Sequence, residues 1–191
     1  MANTLRGPYK SDKYKDVIIP MTIIRRFECA LAATKDAVIE AYEKKKDTPP
    51  QILERVSKCR FYNTSRYTLK ELLNDPDNIA VNFVSYIDGF SENVKSIVHG
   101  LEFEKEIQKM DKNNRLLGVV RKFSELDLDP NTIDGIKADY MFEEIIRRFS
   151  ENAEAGDHYT PRDVRGRCKY NEYQETITNG DTQRPAHSRG N

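Results

Sequence analysis

The chain has 191 residues, of which 32% are charged and 38% hydrophobic, and its formal net charge is zero. This length and balance fit one domain with a slim core, or one domain and a tail. A neutral balance excludes a global field that would draw the protein to nucleic acid or membrane. No stretch approaches the ~18 apolar residues of a membrane span, and no signal segment opens the chain. We therefore expect a cytoplasmic protein.

Positive charge is nevertheless concentrated at the amino end. Residues 1–26 contain six basic residues against two acidic ones. Two interpretations of this arm stay open: a solvated helix start that binds nothing, or a surface that contacts phosphates. The candidate contacts to DNA phosphates are Lys13, Lys15, Arg25 and Arg26.

Apolar residues at helical spacing predict a first long helix over residues 14–45. Pro20 lies close enough to its start to be tolerated, or it splits off a first turn. The predicted helix ends at Lys44-Lys45-Lys46, because positive charge stabilises the carboxyl end of the helix dipole. The predicted apolar face consists of Val17, Met21, Ile24, Phe27, Cys29, Leu31, Val38 and Ala41.

The middle of the chain predicts several shorter helices. Pro49 and Pro50 begin one of them, and Thr68 with Glu71 forms a plausible capping box. Asp75-Pro76-Asp77 begins the next helix, which Gly89 ends. Its apolar face could dock partner helices, although most such faces are core, and consists of Ile79, Val81, Phe83, Val84, Tyr86 and Ile87.

Three more helices are predicted over residues 91–100, 114–123 and 136–149. The chain shows no convincing pair of alternating strands and no repeat with a period of 20 to 50 residues. The predicted fold is therefore all-α, an irregular bundle of six to seven helices. We expect residues 1–149 to form the helical domain, with a disordered tail at residues 165–191.

Catalytic patterns are missing. No two of the nine glycines are separated by a single residue, so neither a dinucleotide-binding turn nor a Walker loop is present. The three histidines lie far apart, which predicts no metal site. Neighbouring acids such as Glu143 and Glu144 fit a solvated helix face better than an acid–base pair.

The segment Tyr159-Thr160-Pro161 stands out because it is a helix-start signal that nothing continues. Between Arg165 and Asn191, Ile177 is the only residue of the Leu, Ile, Val, Met and Phe set. Such a composition cannot bury enough surface to fold alone. The pattern indicates a complete first module joined to the start of a second, as a truncation or a frameshift after Val164 would produce.

Three segments in this order and spacing resemble the modification subunit of type I restriction-modification systems, an adenine-specific DNA methyltransferase. The resemblance covers residues 5–164. Its first segment runs from Leu5 to Glu28, its second from Asp111 to Pro130, and its third from Phe142 to Pro161. Residues 150–164 would then begin the methyltransferase domain.

The resemblance implies a partial cofactor site and a set of partners. Tyr159, Thr160 and Pro161 would line the S-adenosylmethionine pocket of the intact family member, with Thr160 facing the methionine portion. The alternative is that Thr160 only caps a helix. The helical domain would hold the specificity subunit and close around DNA, in a system that also contains a restriction subunit.

The departures from the family pattern are equally informative. The sequence has no counterpart of the glycine-rich turn that binds the cofactor in the family. It also has no counterpart of the Asn-Pro-Pro-aromatic motif that holds the flipped adenine. We therefore expect this chain alone to bind no cofactor and to be inactive. A freestanding helical protein-interaction module without enzymatic activity is the alternative function.

Overall fold

The all-α prediction is confirmed by the computed structural model of the chain, which describes residues 5, 9, 10, 13–137, 140, 141, 143, 144 and 147. Within these residues there is no β-strand, and an isolated antiparallel bridge joins Asn63 to Phe90. The predicted disordered tail and residues 150–164 lie outside the described residues.

The helices follow one another with short connections. In chain order they are α1 (Lys15–Leu31), α2 (Lys35–Lys44), α3 (Pro50–Ser57), α4 (Ile79–Asp88), α5 (Glu92–Gly100), α6 (Phe103–Lys112) and α7 (Leu116–Ser124). Two short 3-10 helices, Glu71–Asn74 and Pro76–Asn78, precede α4. Residues 135–137, 140, 141, 143, 144 and 147 are also helical.

The predicted helix over residues 14–45 is two helices, because the chain breaks between Leu31 and Lys35. Pro20 is accommodated inside α1, and α2 ends at Lys44, as the lysine run predicts. Thr34 marks the break: its hydroxyl donates to the carbonyls of Leu31 and Ser57, at 3.3 and 3.2 Å. Packing of α2 on α3 therefore replaces continuation of the first helix.

The main core lies among α1, α4, α5, α6 and α7. Helix α1 packs on α6 and α7, and α4 packs on α5, α6 and α7. Phe83 of α4 meets Phe103 of α6 edge to face, with ring centroids 5.9 Å apart. Phe27 of α1 meets Phe61 in the same way at 4.6 Å, so the connector after α3 is also tied to the core.

The apolar face predicted over residues 79–87 is mainly core. Ile79, Phe83, Tyr86 and Ile87 are buried, whereas Val81 is 71% exposed. A face already used by the bundle cannot also receive a partner helix, so docking along this stripe is not supported by its burial.

Gly89 follows α4 and has right-handed helical backbone, at φ −70°. The presence of glycine is therefore not explained by a left-handed turn. Its role is close packing. A Cβ placed there would lie 2.6 Å from the Cβ of Ser65 and 2.8 Å from Oδ1 of Asn63. The Gly89 carbonyl also accepts the backbone N–H of Thr64 at 2.8 Å, which brings the two segments together.

Gly89→Ala should therefore lower the free energy of unfolding by about 1–3 kcal/mol, the usual cost of forcing a methyl group into filled space. Gly135→Ala is the matched control, because nothing lies within 4 Å of a Cβ built there. In a helix that change should be neutral or stabilising by up to ~1 kcal/mol. Urea unfolding measures both variants, and equal midpoints would contradict the packing role.

Candidate functional site

The structure separates the four predicted phosphate contacts into an outer and an inner pair. Lys13 and Lys15 lie at the amino end of α1, near the surface. The Lys13 ammonium lies 3.8 Å from Oδ2 of Asp16, and its side chain is 57% exposed. Burial raises the pKa of the Asp16 carboxyl, and both lysines oppose that shift. Lys13 is therefore exposed but paired with Asp16, and Lys15 is half-buried.

Arg25 and Arg26 form the inner pair, and both bind the segment of residues 126–133. Nε of Arg25 donates to the Leu126 carbonyl at 2.7 Å. Nη1 of Arg26 donates to the carbonyls of Leu128, at 3.1 Å, and Ile133. With 1% of its surface exposed, Arg26 cannot reach a phosphate in this structure. The two guanidinium groups instead fix this segment against α1.

The segment held by Arg26 leads directly into the next helical stretch. Oδ1 of Asp134 accepts the backbone N–H of Lys137 at 2.9 Å and thereby caps its first turn. That hydrogen bond lowers the pKa of the Asp134 carboxyl, and the Arg26 charge acts in the same direction. Arg26 therefore helps set where the outgoing helix starts. Ile136 and Tyr140, four residues apart on it, are 70% and 69% exposed.

The buried carboxylate of Glu28, on helix α1, joins three parts of the bundle. Glu28 is 8% exposed. Its Oε2 accepts the backbone N–H of Leu69 at 2.7 Å and the hydroxyl of Tyr86 at 2.9 Å. Its Oε1 accepts a charge-assisted hydrogen bond from Arg25. We call these four residues the Glu28 node; it ties α1 to α4 and to the loop after α3.

Further charge surrounds the Glu28 node. Nζ of Lys35 donates to the carbonyls of Ser65 and Tyr67, at 2.8 and 2.6 Å, and lies 5.5 Å above the Tyr86 ring. Burial lowers the pKa of the Lys35 ammonium, and the Glu28 carboxylate partly opposes that shift. Burial also raises the pKa of the Tyr86 phenol well above its usual value. The phenol is therefore a neutral donor, which suits structural support rather than acid–base chemistry.

An open cleft of about 920 Å³ lies between one side, formed by α3 and the turn after it, and the amino end of α5. Arg55, Lys58 and Arg60 line one wall, and all three are exposed. The walls are joined by the Asn93 amide, which donates to the Arg60 carbonyl at 2.9 Å. Sequence reasoning missed this cleft, although three cations within six residues are a visible signal.

Outside these features, the described part of the chain contains one histidine. His99 is exposed, and its Nδ1 lies 3.0 Å from Oε1 of Glu104, as expected for a surface histidine. Among the described residues, no three His, Cys, Asp or Glu side chains converge as metal ligands. Tyr159, Thr160 and Pro161 lie outside the described residues. In the same part of the chain, no helix is long and apolar enough to cross a membrane.

Comparison with known proteins places the chain in a family. The family model described as the HsdM N-terminal domain matches residues 1–123, which is more than half of the 191 residues. No curated protein and no solved structure gave a significant match. The chain belongs to the HsdM N-terminal domain family, the amino-terminal region of the modification subunit of type I restriction-modification systems.

Proposed function

We propose that this member of the HsdM N-terminal domain family serves subunit assembly and DNA contact in an adenine-specific DNA methyltransferase. The observation that carries the proposal is the family match over residues 1–123. A helical bundle with a firmly held outgoing segment supports it, since such a module can hold partners in fixed positions. The partners we propose are the specificity subunit, the restriction subunit and DNA, and the location we propose is the cytoplasm.

The methyl transfer itself belongs to the intact subunit. We propose that S-adenosylmethionine is the donor there, and that Tyr159, Thr160 and Pro161 contribute to its pocket. The sequence contains no glycine-rich cofactor turn and no Asn-Pro-Pro-aromatic motif. These are the groups that would hold the donor and the flipped adenine. On its own the chain is therefore proposed to be a non-catalytic component.

Contact with DNA is proposed to be non-specific and electrostatic. Lys13 and Lys15 keep their place in this proposal because they lie near the surface. Arg25 and Arg26 drop out of it, since their guanidinium groups hold residues 126–133. Binding through lysines weakens steeply as salt rises, because each contacted phosphate releases counterions.

The experiment that tests the proposal is assembly with the specificity subunit of the same system, followed by light scattering on a sizing column. A stable complex supports the assembly role. A chain that binds unrelated peptides, but neither the specificity subunit nor DNA, would favour the freestanding interaction module instead.

A further inference from the structure

We propose that the cleft between α3 and α5 is a binding site for the phosphate backbone of DNA. The inference rests on the proposed function and deepens it, because it says which surface makes the contact. The cleft is a different surface from the basic arm at residues 1–26, because no residue of that arm lines it.

The cations of the cleft combine two features: they lack a carboxylate partner among the described residues, and they line the same open surface. Some exposed cations elsewhere have a carboxylate partner, for example Lys44 with Glu40 at 2.6 Å and Lys105 with Glu102 at 2.7 Å. Within the part of the chain that the structure describes, Arg55, Lys58 and Arg60 take part in no ion pair and donate no side-chain hydrogen bond. Like charges that line one surface repel one another, so an external anion would stabilise these three cations.

The backbone holds this arrangement in place. Lys58 ends α3 in the left-handed region, at φ 58°, which turns the chain from the helix toward Arg60. Ser91 ties the opposite wall to the turn, because its N–H donates to the Tyr62 carbonyl at 3.0 Å and its Oγ accepts the Tyr62 N–H at 3.3 Å. These hydrogen bonds therefore fix the turn that carries Lys58 and Arg60.

The acids of the cleft cancel this charge only in part, because two carboxylates accompany three cations in the lining. Glu54 and Glu92 are the two carboxylates in the lining. Glu92 is already paired with Lys95, at 2.9 Å, and that pair lowers the pKa of the Glu92 carboxyl. Helix α5 also begins at Glu92, so unpaired backbone N–H groups of its first turn add positive potential to this wall.

Phosphate is the anion that best fits these groups. The two guanidinium groups offer planar, paired donors that match phosphate oxygens, and the ammonium adds a point charge. The cleft volume of about 920 Å³ is open and larger than a single phosphate needs, which suits a run of backbone. An acidic protein segment is the competing occupant, and it becomes an outcome of the test below.

The test is fluorescence anisotropy of a labelled 20-base-pair duplex with the full chain, over a salt series. The variant R55Q/K58Q/R60Q should weaken binding by roughly 10- to 100-fold at about 100 mM salt, and should reduce the salt slope by about 2 to 3. The control K70Q/K112Q/K122Q removes the same charge from exposed lysines outside the cleft and should bind as the unmodified chain does.

Each outcome of this experiment decides something. If the unmodified chain binds duplex with a steep salt slope and both triple variants bind equally well, the cleft is not the site and DNA contact lies elsewhere. If the unmodified chain does not bind duplex even at low salt, the proposed DNA role fails and the cleft with it. If poly-glutamate binds the cleft cations more tightly than duplex does, an acidic protein is the occupant. Circular dichroism confirms folding, and the single variant R55Q provides a milder second test.

Discussion

Replacing Glu28 with alanine should lower the free energy of unfolding by about 3 kcal/mol, the scale for breaking a buried charge-assisted network. The substitution leaves the Leu69 N–H and the Tyr86 hydroxyl without their acceptor inside the bundle. It also leaves Arg25, whose side chain is only 18% exposed, without its carboxylate. In a protein of this size, the midpoint of thermal unfolding should fall by roughly 6–12 °C.

Two further variants separate the network from general effects of mutation. Glu28→Gln keeps one acceptor oxygen but no charge, so it should cost about half as much as alanine. Glu43→Ala removes a 46% exposed partner of Arg66 and should stay within about 0.5 kcal/mol of the unmodified chain. Circular dichroism at 222 nm measures the thermal unfolding of all three variants. An alanine variant at position 28 as stable as that at position 43 would show that the Glu28 node does not hold the bundle.

Arg26→Met should loosen the connection to the outgoing helix as well as the bundle. The carbonyls of Leu128 and Ile133 lose their donor, and an unsatisfied buried carbonyl costs about 1–3 kcal/mol. Methionine keeps much of the apolar volume, so the loss reports mainly on the hydrogen bonds. We expect a global loss of about 2–3 kcal/mol, the scale for two such acceptors after partial rehydration.

Hydrogen exchange shows where the Arg26→Met effect lies. The amides of Thr132 and Ile133, which donate to the Asp129 carbonyl at 3.0 and 2.8 Å, should exchange roughly 10- to 100-fold faster if local opening becomes easier by about 1.4–2.8 kcal/mol. Arg121→Met, on the exposed side of α7, should leave both amides unchanged. Unchanged exchange in the Arg26 variant would mean that other contacts hold this segment.

Helical periodicity predicted most of the helices because the core selects residues by spacing. Several bounds are confirmed closely, including the end of α2 at Lys44, the start of α3 at Pro50 and the end of α5 at Gly100. Helix α6 was not predicted as an element, because its short apolar repeat lies among many charged residues. That repeat, Phe103, Ile107 and Met110, is fully buried.

Other features depend on tertiary contacts that one sequence does not display. Adjacent arginines near a helix end suggest a solvated or phosphate-binding surface, yet the carbonyls that bind Arg25 and Arg26 lie about 100 positions later. The capping box predicted for Thr68 and Glu71 is seen in its forward half, where the Thr68 hydroxyl accepts the Glu71 N–H at 3.1 Å. It begins a 3-10 helix rather than an α-helix.

The sequence did not predict which positive charges of the candidate site are exposed. The local surplus of basic residues made residues 1–26 the candidate surface for phosphate contact. The structure shows that position in the sequence is a poor guide to availability, because Arg26 is buried whereas Arg55, Lys58 and Arg60 share an open cleft. Which cations remain without a carboxylate partner is decided by packing.

Light scattering on a sizing column, applied to the chain mixed with the specificity subunit of its own system, tests the account most directly. The assembly role predicts a single complex heavier than the specificity subunit by one or more copies of this 22.2 kDa chain. It also predicts that adding duplex shifts that complex in a salt-dependent way. Separate elution of the two proteins at every ratio, with and without duplex, would contradict the proposed function.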